Sequence, residues 1–187
     1  MQWKSDKEGD GMVSRKRLMA FIQNAEKAWE KVVFSYDLNS PPIRIGDFDY
    51  YRLPLRFSTR IKIFRYYHQF WNNVYANRMI CSAGFKNIRG RLYSPDADTG
   101  GLPSRVLGLK IIKQTSTNII VDAILGIPGD SIADGETIRY FILRNPSTQV
   151  LTINLRRSRY ADYRYDPCKK KSRILRRKKN SACYIGR

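Results

Sequence analysis

The sequence predicts an α+β fold, with two N-terminal helices packed on a mostly antiparallel five-stranded sheet and a basic C-terminal extension behind it. Three observations predict it. Apolar residues recur at steps of three and four through the first half of the chain, which is the period of a helix. From Phe85 onward they fall in short β-rich blocks, and turn formers separate those blocks at hairpin spacing, which favours antiparallel pairing.

Ser14 can cap the first helix, in which Leu18, Ile22, Ala25, Trp29 and Val32 step by four and three while Phe21, Ala28 and Val33 widen the stripe. Asp37, Asn39, Ser40, Pro41 and Pro42 end it, because consecutive prolines remove donors and push the preceding residue out of the α region. A short extended piece at Ile43 to Ile45 follows. Ser58 and Thr59 can start a second helix built on Ile63, Tyr67, Phe70 and Val74, flanked by Phe64, Trp71 and Tyr75, and ending where Cys81 to Gly84 supply a C-cap. Five strands are expected at about residues 85–93, 105–113, 117–127, 136–144 and 149–155. In the last, Leu151, Ile153 and Leu155 alternate with Thr152 and Asn154, and Asn145, Pro146 and Ser147 form the turn before it.

These elements fit one domain over residues 14–155, preceded by a polar leader (1–13) and followed by a basic arm (156–187). With 42% hydrophobic and 12% aromatic residues the chain can bury a core, so general disorder is not expected. Charge dominates its bulk properties: 35 Lys and Arg against 16 Asp and Glu give +19. Residues 156–187 hold thirteen basic side chains against Asp162 and Asp166, a net +11 that leaves +8 on residues 1–155. Arg156, Arg157, Arg159, Arg164, Lys169, Lys170, Lys171, Arg173, Arg176, Arg177, Lys178 and Lys179 are therefore the candidates for contact with a polyanion, whether nucleic acid or wall polymer. Beyond Leu155 apolar residues are sparse, so the arm is expected to stay mobile and to be dispensable for folding.

Cys81, Cys168 and Cys183 lack metal spacing; a Cys168 to Cys183 disulfide with Cys81 as a buried thiol and three reduced cysteines are both compatible with the spacing. No run reaches the roughly 20 apolar residues of a membrane span. The polar start lacks the apolar core of a signal peptide, which fits a cytoplasmic protein or an export leader absent from this chain.

Catalytic motifs are missing. His68 lies among aromatic neighbours in the second helix and reads as structural, and no serine sits in a G-x-S-x-G setting. Asp96 and Asp98, in the turn-rich Ser94 to Gly101, are closely spaced acids without a third ligand at calcium-loop spacing, so a turn or partner contact is favoured over catalysis. No catalytic residue, metal or cofactor is expected. The tail's tyrosines interleaved with arginines suit phosphate and base contacts, and a nucleic-acid-associated protein is the alternative reading.

Three pieces together resemble the secreted bacterial inhibitors of cell-wall DL-endopeptidases: Tyr50-Tyr51-Arg52-Leu53-Pro54, the stretch from Gly90 to Asp98 with Gly100-Gly101, and Ile127-Pro128-Gly129-Asp130, in that order within residues 14–155. The resemblance implies a non-enzymatic binding protein that blocks the cleft of a peptidoglycan-cleaving peptidase and limits autolysis. It implies an extracellular or wall location, a peptidase as protein partner, and Asp96, Asp98, Gly100 and Gly101 as the partner-binding residues.

Overall fold

The computed structural model describes residues 12–96, 102–127 and 129–168. Helix α1 (Arg15–Val33) starts as expected: the Ser14 hydroxyl accepts the Arg17 N–H at 3.3 Å. It buries Leu18, Ile22, Ala25, Ala28, Trp29, Val32 and Val33, and with them the carboxylate of Glu26.

The second half of the expected helical region is two helices. α2 (Arg60–Tyr67) and α3 (Asn73–Ser82) are separated because the Phe70 carbonyl and the Asn72 N–H between them bond to a strand instead of continuing the helix. The Phe70 carbonyl accepts the Ile153 N–H at 2.8 Å, and the Asn72 N–H donates to the Ile153 carbonyl at 3.0 Å. Asn72 then caps α3 by accepting the Tyr75 N–H at 3.0 Å and fixes its own amide on the Asn154 carbonyl. The apolar step of four continues through Ile63, Tyr67, Trp71, Tyr75 and Met79, all buried, which is why the pattern reads as unbroken; of the flanking positions Val74 is exposed while Ala76 and Ile80 are buried.

The strands form two antiparallel four-stranded sheets rather than one sheet of five. The small sheet pairs β1 (Ile43–Ile45), β2 (Phe48–Arg52), β3 (Lys86–Ile88) and β4 (Arg91–Pro95) in the order β1-β2-β4-β3. The single strand expected at 85–93 is a hairpin: Arg89 and Gly90, at φ of 48° and 79°, make a two-residue turn whose twist suits antiparallel strands. Arginine at its first position hides that turn, since Asn-Gly and Asp-Gly are its usual sequences.

The large sheet is a meander of β5 (Arg105–Gln114), β6 (Asn118–Gly126), β7 (Glu136–Arg144) and β8 (Leu151–Arg157). One face supplies Ile119, Val121, Ala123, Leu125, Ile138, Tyr140, Ile142 and Ile153, which join the buried faces of the helices in one core. Asn145 organises the turn into β8 by accepting the Ser147 and Thr148 N–H groups, both at 3.0 Å.

Trp71 is the centre of this core. Its ring is fully buried between Tyr75 and Tyr165, and its indole N–H donates to the Ala25 carbonyl at 3.1 Å. Trp71→Ala is expected to cost about 3–5 kcal/mol, read as a loss of stability in urea titration; a variant that unfolds at the wild-type midpoint would refute this placement.

The domain does not end at Leu155. β8 continues to Arg157, and a 3₁₀ turn at Tyr163–Tyr165 packs on α3, with the Ser82 hydroxyl donating to the Arg164 carbonyl at 3.1 Å. Cys168 is disulfide-bonded to Cys81, 87 residues earlier. This replaces the alternatives in which Cys168 joins Cys183 or Cys81 is a buried thiol; Cys81 lies at the surface. Residues 156–168 are therefore part of the fold, and the rest of the expected arm, 169–187, lies outside the described residues.

Candidate partner-binding site

The link from β4 to β5 passes from the small sheet to the large one, and both of its ends are fixed. At the first end the Asp96 N–H donates to the Asp49 carbonyl at 2.7 Å and its carboxylate accepts the Tyr36 hydroxyl at 3.2 Å. Tyr36 is itself held by stacking on Tyr51, ring centroids 5.0 Å apart. Burial, and then the Asp96 charge, push the Tyr36 hydroxyl above its ordinary pKa, so it stays a donor. At the second end the side chain of Gln23 on α1 spans the re-entry: its amide N–H donates to the Ser104 carbonyl, and its oxygen accepts the Val106 N–H at 2.9 Å. Asp96 is exposed between these anchors. Asp98, Gly100 and Gly101 lie outside the described residues.

The β6–β7 connection lies beside this link, because Arg105, the first residue of β5, pairs with Gly126, the last of β6. Asp130 closes the turn by accepting the Ile127 N–H at 2.8 Å, and Asp134 accepts from the backbone and hydroxyl of Ser131. Gly126 and Gly135 permit the close approach: a Cβ at Gly126 would stand 2.7 Å from Leu107 Cδ1, and one at Gly135 2.4 Å from Ile124 Cγ2. Ile127 and Ile132 are exposed on this connection, Ile132 by 60%. The second end of the link, at Ser104 and Arg105, and the Asp130 turn thus meet at one end of the large sheet, while Asp96 is held on the small sheet. Tyr36, Gln23 and Ile132 went unnoticed in the sequence; only the pairing register brings them here.

The expected polyanion residues divide. Arg156 and Arg164 are corrected: neither reaches a surface partner, because both are buried against Glu26. Arg156 Nε donates to Glu26 Oε1 and Arg164 Nη2 to Glu26 Oε2, each at 3.0 Å. The hydroxyls of Tyr140 and Tyr165 donate to the same carboxylate at 2.5 and 3.0 Å, and Asp162 bridges the two guanidiniums from the far side. Burial works against both cations, but their neighbours, Glu26, Asp162 and the buried tyrosines, override it and hold both guanidiniums above their ordinary pKa. Burial also opposes the charge on Asp162, yet the Arg164 hydrogen bond lowers its pKa overall. Two carboxylates and two guanidiniums make this a closed, neutral structural network. Arg157 and Arg159 are exposed, over the rings of Phe141 and Tyr160; Lys169, Lys170, Lys171, Arg173, Arg176, Arg177, Lys178 and Lys179 lie outside the described residues.

His68 caps α2 and contacts the Trp71 carbonyl through Nδ1 at 3.0 Å. Among the described residues no three His, Cys, Asp or Glu side chains are grouped to hold a metal ion, and no helix is long and apolar enough to cross a membrane.

The family model for IseA DL-endopeptidase inhibitors matches residues 10–140. The chain belongs to the IseA DL-endopeptidase inhibitor family. No curated protein matches it. The IseA match runs from the start of α1 into β7 and takes in the whole Asp96 link and the Asp130 turn. It stops short of β8, Arg156, Arg164 and Cys168, so part of what seals the core of this IseA-family chain lies beyond the matched span.

Proposed function

We propose that this chain inhibits a peptidoglycan-cleaving DL-endopeptidase at the bacterial cell wall, without catalysis of its own, by presenting the Asp96–Gly101 segment together with the Ile127–Asp134 turn to the enzyme's cleft. Membership of an endopeptidase-inhibitor family carries the reading. The geometry supports it: the two ends of the segment are tethered, Asp96 by Tyr36 and Asp49 and the start of β5 by Gln23, and fixed ends lower the entropic cost of binding. Acids beside exposed isoleucines offer the mixed polar and apolar contacts of a small interface. The Cys81–Cys168 disulfide supports an extracellular site of action, since cytosolic thiols are kept reduced.

The test is the rate at which a DL-endopeptidase solubilises purified wall as this chain is added. Near-stoichiometric inhibition is expected, and Asp96→Ala with Asp98→Ala should weaken it by about tenfold or more, the effect of losing contacts at the centre of an interface. The same double variant should melt close to wild type, because Asp96 is exposed and, among the described residues, its side chain bonds only the half-buried Tyr36 hydroxyl. No inhibition by the wild-type chain would sink the functional reading; full inhibition by the double variant would sink the site.

A further inference from the structure

Between the end of α1 and one face of α2 lies an open concavity of about 760 Å³, lined by Lys31, Arg56, Phe57, Lys62, Arg65, Tyr66 and Gln69. Four of its seven residues are cations and none is an acid. Among the described residues none of the four forms an ion pair. Two are already positioned. The Lys62 ammonium donates to the Leu55 carbonyl at 2.7 Å and the Ser58 hydroxyl at 3.1 Å, leaving its third N–H for a ligand; the Arg56 guanidinium rests 5.0 Å from the Phe57 ring centroid. The helix aggravates the imbalance. The first turn of α2 carries Arg60 and Lys62 and no acid, so positive side chains sit at the positive end of the helix dipole. An anion bound at the Arg56 and Lys62 end would relieve both.

We propose that this concavity is a binding site for a phosphodiester-linked polyol chain, whose successive phosphates are taken by Arg56, Lys62, Arg65 and Lys31. Guanidinium and ammonium donors suit phosphate oxygens, and four cations in one hollow exceed what a single phosphate needs. The aromatic residues argue against a nucleic acid. Phe57 is buried with Arg56 over its ring, and half-buried Tyr66 packs against Phe57, Tyr67 and Phe70, so a base finds one partly covered ring rather than the successive platforms that strand binding uses. A flexible aliphatic phosphate chain has no such requirement.

The experiment compares the full wild-type chain with Lys31→Gln/Arg65→Gln and with a charge-matched control, Lys16→Gln/Lys27→Gln, whose exposed side chains lie on α1 outside the concavity. None of the four side chains donates a hydrogen bond among the described residues, so both variants should melt like wild type. Affinity is measured by calorimetry for poly(glycerol phosphate), inorganic phosphate and single-stranded DNA across a salt series. Lys31→Gln/Arg65→Gln should bind poly(glycerol phosphate) about tenfold more weakly, as the loss of two charge-assisted contacts requires, with a shallower salt slope, while the control stays within about twofold. Inorganic phosphate should bind far more weakly than the polymer. Equal losses in the two variants, or none in either, would overturn the site in favour of a diffuse field. An equal or larger effect of Lys31→Gln/Arg65→Gln on DNA would overturn the ligand class. Endopeptidase inhibition in free solution should be unchanged by Lys31→Gln/Arg65→Gln, so this site and the inhibitory surface fail separately.

Discussion

Ending the chain at Leu155 is expected to abolish folding, although sparse apolar residues mark everything beyond it as expendable. The cut removes Arg156 and Arg164 and so leaves the Glu26 carboxylate buried without a cation, which costs about 3–5 kcal/mol. It removes Tyr165, whose ring is 4.8 Å from Trp71 and which fills the space between α3 and the sheet, for about another 3–5 kcal/mol. It also removes Cys168 and with it a disulfide across 87 residues, worth about 4.6 kcal/mol in the chain-entropy account. Together these match the whole stability of an ordinary domain, about 5–15 kcal/mol. A chain ended after Cys168 keeps every one of these contacts and should fold. Circular dichroism and thermal melting of the two truncations decide the matter: a cooperative transition for residues 1–155 would show that the segment is an accessory.

Glu26→Ala is expected to be among the most damaging single substitutions, at about 3–5 kcal/mol. The alanine leaves two buried guanidiniums facing only Asp162 and strips the acceptor from the hydroxyls of Tyr140 and Tyr165. Four partners from β7, β8 and the final 3₁₀ turn thus depend on one side chain of α1. The diagnostic measurement is a double-mutant cycle in urea: Glu26→Ala with Arg164→Ala should destabilise by at least about 1 kcal/mol less than the sum of the single changes, since each strands the other's charge. Strict additivity would mean that the two residues act independently and the network is not a unit.

How far the sequence shows these features depends on how local they are. The stripe of α1 and its Ser14 cap can be read directly, because a helix writes its buried face into spacings of three and four. Glu26 itself carries a faint signal: four residues after Ile22 and three before Trp29, it stands on the face to be buried. Its partners carry none. Arg156 and Arg164 sit in a run of basic residues that looks like a solvated tail, and only the arrival of β8 beside β7 turns them inward. The break between α2 and α3 fails for a similar reason, since the apolar step continues through Tyr67 and Trp71 while the backbone bonds to Ile153, more than 80 residues away.

By itself, then, the sequence determined the fold class, the first helix, the four strands of the meander between residues 105 and 155, and the Asp96 and Asp130 segments as parts of an inhibitor of this family. These rest on periodicity, turn chemistry and short motifs, which act over a few residues. Tertiary structure alone decided that the strands divide into two sheets, that Cys168 meets Cys81, that the start of β5 lies beside the Asp130 turn, and where the domain ends. Each of these depends on which distant residue satisfies a buried backbone group, a charge or a thiol, and the same local sequence is compatible with many such partners until the chain has packed.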